Sequence, residues 1–328
     1  MTATATFAGR LHAAAMLARI RSAGRRRAPA PASKPVGDVP CDWYPARGPA
    51  RALVVALHGV TVNGKDDHRL RAFAGALAAS GTTCAVPTLP ALVSFRWETS
   101  DVDAIVRVVE AASDAAGRPA VVVGFSHGAS LGLLAAARPA GASRVSHVLG
   151  FGAYHSLEGV FARIRALALP ARPADRNDVV YARLVEARRR AGALGLPPEV
   201  CAAADDLLRR YCDAATDDEK LRFFDAHLRA LAVEKNVDSA ADATFPAMSP
   251  AGKLAGIACA VGLVHDPDDL LVPPSDAEAL LAELRRVAPG HDHRLLVTRL
   301  VRHVALARPP SPGEAWRLLG MLAPLVGG

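Results

Sequence analysis

From residue 51 onward the chain alternates short apolar runs with amphipathic stretches of helical period, and that alternation limits the folds open to it. "RALVVALHG" is an apolar run closed by His58-Gly59, suited to a strand buried on both faces. "DDHRLRAFAGALAASG" follows, with Asp66 or Asp67 placed to cap a helix and Gly81 placed to stop it. "TTCAVPTLP" reads as a strand, "TSDVDAIVRVVEAASDAAG" as an amphipathic helix ending at Gly117, and "PAVVVGF" as another strand. "SHGASLGLLAAARP" continues as a helix of small residues and "RVSHVLGFGAYH" as a further strand. The pattern implies an α/β fold with a mostly parallel central sheet and helices on both faces. Right-handed crossovers then gather the strand C-termini on one edge, where sites are built.

Between residues 157 and 250 the rhythm changes. "LEGVFARIRALAL", "DVVYARLVEARRRAGALG", "PPEVCAAADDLLRRYCDAA" and "TDDEKLRFFDAHLRALAVEK" are helical patterns with no strand between them, punctuated by Pro170, Pro173, Pro197 and Pro198. Such a block is expected to be an inserted all-helical cap over the active edge, or else extra packing on an outer face. Strand rhythm returns with "GIACAVGLVHDPDD", the helix "PSDAEALLAELRRVAPG", the strand "HRLLVTRLVRH" and a closing helix "GEAWRLLGMLAPLV". The expected organisation is an N-terminal segment over 1–37, a core over 38–156 and 251–328, and the cap over 157–250.

Chemistry concentrates at "VVVGFSHGAS". A serine hydroxyl is a poor nucleophile until a base takes its proton and donors receive the developing oxyanion. A tight turn between a buried strand and a helix exposes such a serine, and it needs neighbours with little or no side chain. Gly124 and Gly128 occupy the two positions where a side chain would collide, and Ala129 continues the close approach, so Ser126 is the expected nucleophile.

These residues resemble the α/β-hydrolase superfamily, whose triad runs in the chain order nucleophile, acid, histidine. The resemblance covers roughly residues 45 to 320. It implies an acid on the loop in "GLVHDPDDLLVPPSDAEAL", where Asp269 has the spacing to "VP" and Asp266 and Asp268 are the alternatives. It also implies a histidine beyond the final strand, and "RLLVTRLVRHVAL" offers His303. His303 would act as general base on Ser126 and then as general acid, with the aspartate fixing its tautomer. The backbone N–H groups of His127 and Val60 would form the oxyanion hole, each donor worth about 3 kcal/mol in the transition state. His58 is expected to brace its loop, and the His127 side chain to start a helix. Tyr154 and His155 sit where the strand after the elbow meets the insertion, and either line an acyl pocket or hinge the cap.

The expected activity is hydrolysis of a small-molecule carboxylic ester or thioester with an apolar portion, with no cofactor. Peptidase, C–C hydrolase or acyltransferase chemistry on the same triad, or a non-catalytic binding role, are the alternatives. The loop "HGVTVNGKDD" lacks the HGGG run of many lipases and esterases, which speaks against large-lipid substrates. A serine rather than an aspartate nucleophile speaks against haloalkane dehalogenase and epoxide hydrolase chemistry.

Charge excludes a nucleic-acid partner. Of 39 Lys and Arg, seven (Arg10, Arg19, Arg21, Arg25, Arg26, Arg27 and Lys34) precede the first acid, Asp38; the remaining 32 balance the 32 acids. This N-terminal stretch is expected to be a disordered tail, an amphipathic helix making weak contact with an anionic membrane surface, or a transit-like segment; Met16 offers another start. Cys41, Cys84, Cys201, Cys212 and Cys259 are scattered and odd in number, which suits the reducing cytoplasm better than a disulfide framework. His291 and His293 have an H-x-H spacing with no further ligand after them, so no metal is expected. No apolar run approaches the ~20 residues of a spanning helix.

Overall fold

The computed structural model describes residues 6–22, 30–193, 195–214, 216–228, 244–302, 305–306 and 311–327. Eight strands form one sheet: β1 Ala32–Ser33, β2 Cys41–Tyr44, β3 Ala52–Leu57, β4 Thr82–Pro87, β5 Ala120–Phe125, β6 Val145–Phe151, β7 Ala260–His265 and β8 His293–Val297. Their order is β1-β2-β4-β3-β5-β6-β7-β8. The β1–β2 and β2–β4 pairs are antiparallel, and every other pair is parallel. A short hairpin of β9 Val301–Arg302 and β10 Ala305–Leu306 stands apart.

The helices are α1 Phe7–Ser22, α2 His68–Ala79, α3 Pro90–Val93, α4 Ser100–Ala116, α5 His127–Ala137 and α6 Pro139–Ala142 before the insertion. Between β6 and β7 come α7 Leu157–Ala166, α8 Pro173–Ala193, α9 Pro198–Asp213, α10 Asp217–Phe223 and α11 Phe245–Met248. α12 Pro274–Val287 and α13 Pro312–Leu322 complete the chain. Local chemistry sets several boundaries. Asp67 is the acid that caps α2, accepting from the amides of Arg69 and Leu70. Gly117 ends α4 in the left-handed region at φ 62°.

The period-two alternation of the strands divides the interior into two layers. Leu53, Val55, Leu57 and Val122 face one core, shared with α4, α5, α12 and the insertion; Val54, Ala56, Val121 and Val123 face the other, shared with α2 and α13. β3 is the strand from which the chain first moves outward to β4 and then returns to β5 on its other side. The crevice beyond the C-terminal ends of β3 and β5 is therefore the topological switch point, where ligand sites form in open α/β sheets.

The structure departs from expectation in three places. The stretch expected as a disordered tail, a surface-seeking amphipathic helix or a transit-like segment carries the helix α1, which instead packs Ala13 and Met16, both fully buried, into the second core. Its Ala13, Met16, Leu17 and Ile20 have helical apolar spacing, a signal masked by the Ala- and Arg-rich composition. Strands β1 and β2 precede the expected start of strand rhythm; at two and four residues they are too short to show a period. The strand expected across "HRLLVTRLVRH" stops at Val297: the Thr298 amide still reaches across to His265 O (2.8 Å), but the Thr298 hydroxyl oxygen accepts from Leu300 N (3.2 Å) and turns the chain away from β7.

Candidate active site

β5 runs out at Phe125, α5 begins at His127, and Ser126 makes the turn between them with φ 52° and ψ −122°. A residue with a side chain pays about 1–3 kcal/mol to hold such a conformation, which persists only where the surroundings enforce it. Here they do. A Cβ on Gly128 would stand 2.2 Å from the His58 carbonyl oxygen, and one on Gly124 2.5 Å from Ala129 Cα. One on Gly59 would stand 2.9 Å from the Phe125 oxygen and 3.3 Å from Ser126 Cβ. The three glycines let the end of β3, the elbow and the start of α5 touch backbone to backbone. Ser126 N donates to Phe151 O at 2.7 Å, fixing the elbow to β6. A serine kept only for the turn would cap the helix it precedes, and the Ser126 side chain makes no capping bond.

The close approach of Gly59 brings the loop that carries Val60 against the elbow. Two groups hold that loop. His58 is buried, with Nδ1 donating to Gly59 O at 2.7 Å and Nε2 accepting from Leu89 N at 3.0 Å. Burial pushes its pKa down to about 4, so its ring is a neutral brace, as expected. From the insertion, the Tyr181 hydroxyl donates to Val60 O at 3.0 Å. This contact has no sequence signal, since Tyr181 reads as one apolar position on α8.

The His127 side chain is also buried, and burial pushes its pKa down to about 3. The Tyr154 hydroxyl donates to Met248 O at 3.1 Å and leaves its oxygen to accept from His127 Nδ1 at 2.7 Å. His127 Nε2 is then an unprotonated, buried atom with no hydrogen-bond partner. His155 is turned toward α12. Its Nε2 meets Glu283 Oε2 at 2.9 Å and its amide donates to Asp276 Oδ1 at 2.7 Å, tying the chain after β6 to α12. Tyr154 lines the cavity described below, and His155 is not among its lining residues.

The three aspartates after β7 have separate environments. Asp268 is exposed and paired with Arg299 Nε at 2.8 Å. Asp266 is buried, and its Oδ1 accepts from Asp268 N at 3.0 Å. Asp269 Oδ1 accepts from the amides of Leu271 (2.9 Å) and Val272 (3.0 Å), which fixes the carboxylate at the head of a turn. Leu271 and Val272 line the cavity that holds Ser126, and so does Val301, two positions before His303. His303 itself lies outside the described residues. His293 is buried with Nε2 on Ala288 O at 2.9 Å, and among the described residues no group of three or more His, Cys, Asp or Glu is placed to hold a metal ion.

Ser126 borders a cavity of about 690 Å3, within the usual range for small-molecule sites. Trp97, Tyr154, Leu157, Phe161 and Val185 line it from the side of the insertion. Phe73, Phe125 and Phe151 line it from the second core, together with Met16, Leu17 and Ile20 of α1. The sequence of residues 1–37 carries no motif that ties α1 to the site; its place on the cavity wall is a matter of packing.

The strand order, the elbow between β5 and α5 and the helical insertion after β6 make this an α/β-hydrolase fold. No family model matches the chain, and no curated protein matches it in sequence. Among solved structures it is similar to a proline iminopeptidase from Mycobacterium smegmatis, with 17% identity, TM-score 0.46, and 82% of this chain and 90% of that one covered. A monoacylglycerol lipase from Paleococcus ferrophilus matches at 16% identity and TM-score 0.49, over 88% of this chain and 98% of that one. A dienelactone hydrolase from Anabaena variabilis matches at 14% identity and TM-score 0.47, over 89% and 94%.

Proposed function

We propose that the protein is a serine hydrolase that cleaves a carboxylic ester or thioester with an apolar portion. The observation that carries the reading is the elbow. Ser126 is held at φ 52° by three backbone-to-backbone glycine contacts, is not used as a helix cap, and borders a mainly apolar cavity. In the proposed reaction Ser126 Oγ attacks the carbonyl carbon as its proton passes to His303. The amides of His127 and Val60 receive the oxyanion. Collapse of the tetrahedral intermediate expels the alcohol or thiol, which takes the proton from His303 and leaves an acyl-Ser126. Water, deprotonated by the same histidine, then attacks the acyl group and restores the serine.

Asp269 is the orienting acid in this scheme, because its carboxylate is fixed by two amides beside residues that line the cavity. The insertion serves as the cap, and Tyr181 as its tie to the oxyanion loop. A panel of p-nitrophenyl esters and acyl thioesters tests the reading. Turnover should fall at least about a thousandfold in Ser126→Ala, to what binding and the oxyanion donors alone provide. A Ser126→Ala protein as active as the parent would overturn the mechanism.

The membrane-surface contact expected of the basic N-terminal segment has one feature in its favour. Phe7, Leu11 and Trp316 are exposed at 66%, 56% and 48%, and the Arg10 guanidinium lies over the Trp316 ring at 4.2 Å. Flotation with vesicles containing phosphatidylserine checks it; Phe7→Ser with Leu11→Ser should abolish any binding.

A further inference from the structure

The cavity extends well past what the reacting carbonyl needs, and its far limb is built from the two ends of the chain. Met16, Leu17 and Ile20 of α1, Leu318 and Leu322 of α13, and Val301 line it. Next to them Phe73 meets Phe125 edge-on at 5.4 Å, and Phe125 stacks on Phe151 at 5.3 Å, so an apolar path reaches from Ser126 to α1. None of these side chains carries a donor, and the Met16 thioether is their one weak acceptor. A void with such walls gives water almost no partners and is filled best by aliphatic groups, at roughly 0.8 kcal/mol per buried CH₂.

The lining comes from both core layers. The cavity thus touches both faces of the sheet beside Ser126. The polar lining comes from other elements: Ser126 and His127 at the elbow, His58 and Thr61 after β3, Asp67, His68 and Arg69 at the start of α2, and Tyr154, Asp178 and Tyr181 from the side of the insertion.

We propose that the limb walled by α1 and α13 is a binding subsite for the aliphatic chain of the substrate, with Leu17 and Ile20 setting the chain length it accepts. The subsite rests on Ser126 as the reacting group and narrows the substrate class to esters or thioesters of medium-chain aliphatic acids. It also gives the N-terminal helix a role in specificity.

Decanoate, a product-like carboxylate of that class, is the probe, and calorimetric titration of the full-length Ser126→Ala protein is the measurement. Saturable binding of one decanoate per chain is expected. Adding Leu17→Trp, which fills the limb, should weaken it roughly tenfold or more. Ile20→Trp takes its place if Leu17→Trp lowers the melting temperature enough to signal misfolding. Equal affinity with and without the tryptophan, or no saturable binding to Ser126→Ala, would overturn the subsite. The titration needs no turnover. A protein that binds decanoate in the limb yet shows no activated serine would sink the hydrolase reading and leave the subsite standing; the reverse pair of results would do the opposite.

Discussion

Gly128→Ala places a methyl group where the chain has no room. Its Cβ would lie 2.2 Å from the His58 carbonyl oxygen and 3.0 Å from that of Leu57, against an ordinary contact of 3.4 Å or more. The obstacles are main-chain atoms. They belong to β3, whose six residues are all buried, and to the residue that follows it. The start of α5 must therefore retreat from the sheet by about 1 Å, and packing distortions of this kind cost about 1–3 kcal/mol. The better helix propensity of alanine returns at most about 1 kcal/mol. A net loss of about 1–2 kcal/mol is expected, along with misplacement of the elbow relative to the Val60 loop. Gly132→Ala, one turn further along α5, is the control. There the added methyl meets Val122 Cγ1 at 3.0 Å and Leu57 Cδ1 at 3.3 Å, side-chain ends that can shift. Its stability should stay within about 1 kcal/mol of the parent. Urea unfolding reads both as midpoint shifts at constant m-value. A Gly128→Ala protein that unfolds at the parental midpoint, or a Gly132→Ala protein that loses as much, would refute the claim that backbone crowding builds the elbow.

The strain at Ser126 makes a second prediction: Ser126→Gly should be about 1 kcal/mol more stable than Ser126→Ala, since relief of about 1–3 kcal/mol outweighs the 0.5–1 kcal/mol of added chain entropy. Equal midpoints for the two variants would mean that the elbow stores no strain. A third concerns pH. His58 has a folded pKa of about 4 against the ordinary value of 6.5. Between those values the unfolded chain binds the extra proton, so stability is fully present above pH 6.5 and is lost as pH falls toward 4, by about 3 kcal/mol. Unfolding midpoints across that window should fall less steeply in His58→Gln; an unchanged slope would contradict the assignment.

The alternation of apolar runs and amphipathic periods made the parallel sheet legible because each buried strand is flanked by turn chemistry that leaves one reading. The elbow was legible for the same reason: only glycine fits where backbone meets backbone, as at Gly124 and Gly128. The acid was less so. Asp266, Asp268 and Asp269 lie within four positions, and spacing cannot tell a carboxylate bound to Arg299 from one held by two amides. α1 was obscured by its composition. Its apolar stripe is only Ala13 and Met16, buried, with Leu17 and Ile20 half-buried beside them, and α13, which it packs against, lies some three hundred residues away in the chain. Tyr181 was beyond sequence reasoning altogether. A hydroxyl reaching the carbonyl of residue 60 from within a helical insertion depends on how that insertion settles, which no local pattern records.

The central claim is that Ser126 is an activated nucleophile, and labelling with a fluorophosphonate tests it most directly. The probe should add one phosphonyl group per chain with loss of fluoride. Peptide mapping should place the adduct on Ser126, and both Ser126→Ala and His303→Ala should abolish it. A folded protein that takes up no label, or takes it up on another residue, would contradict the account.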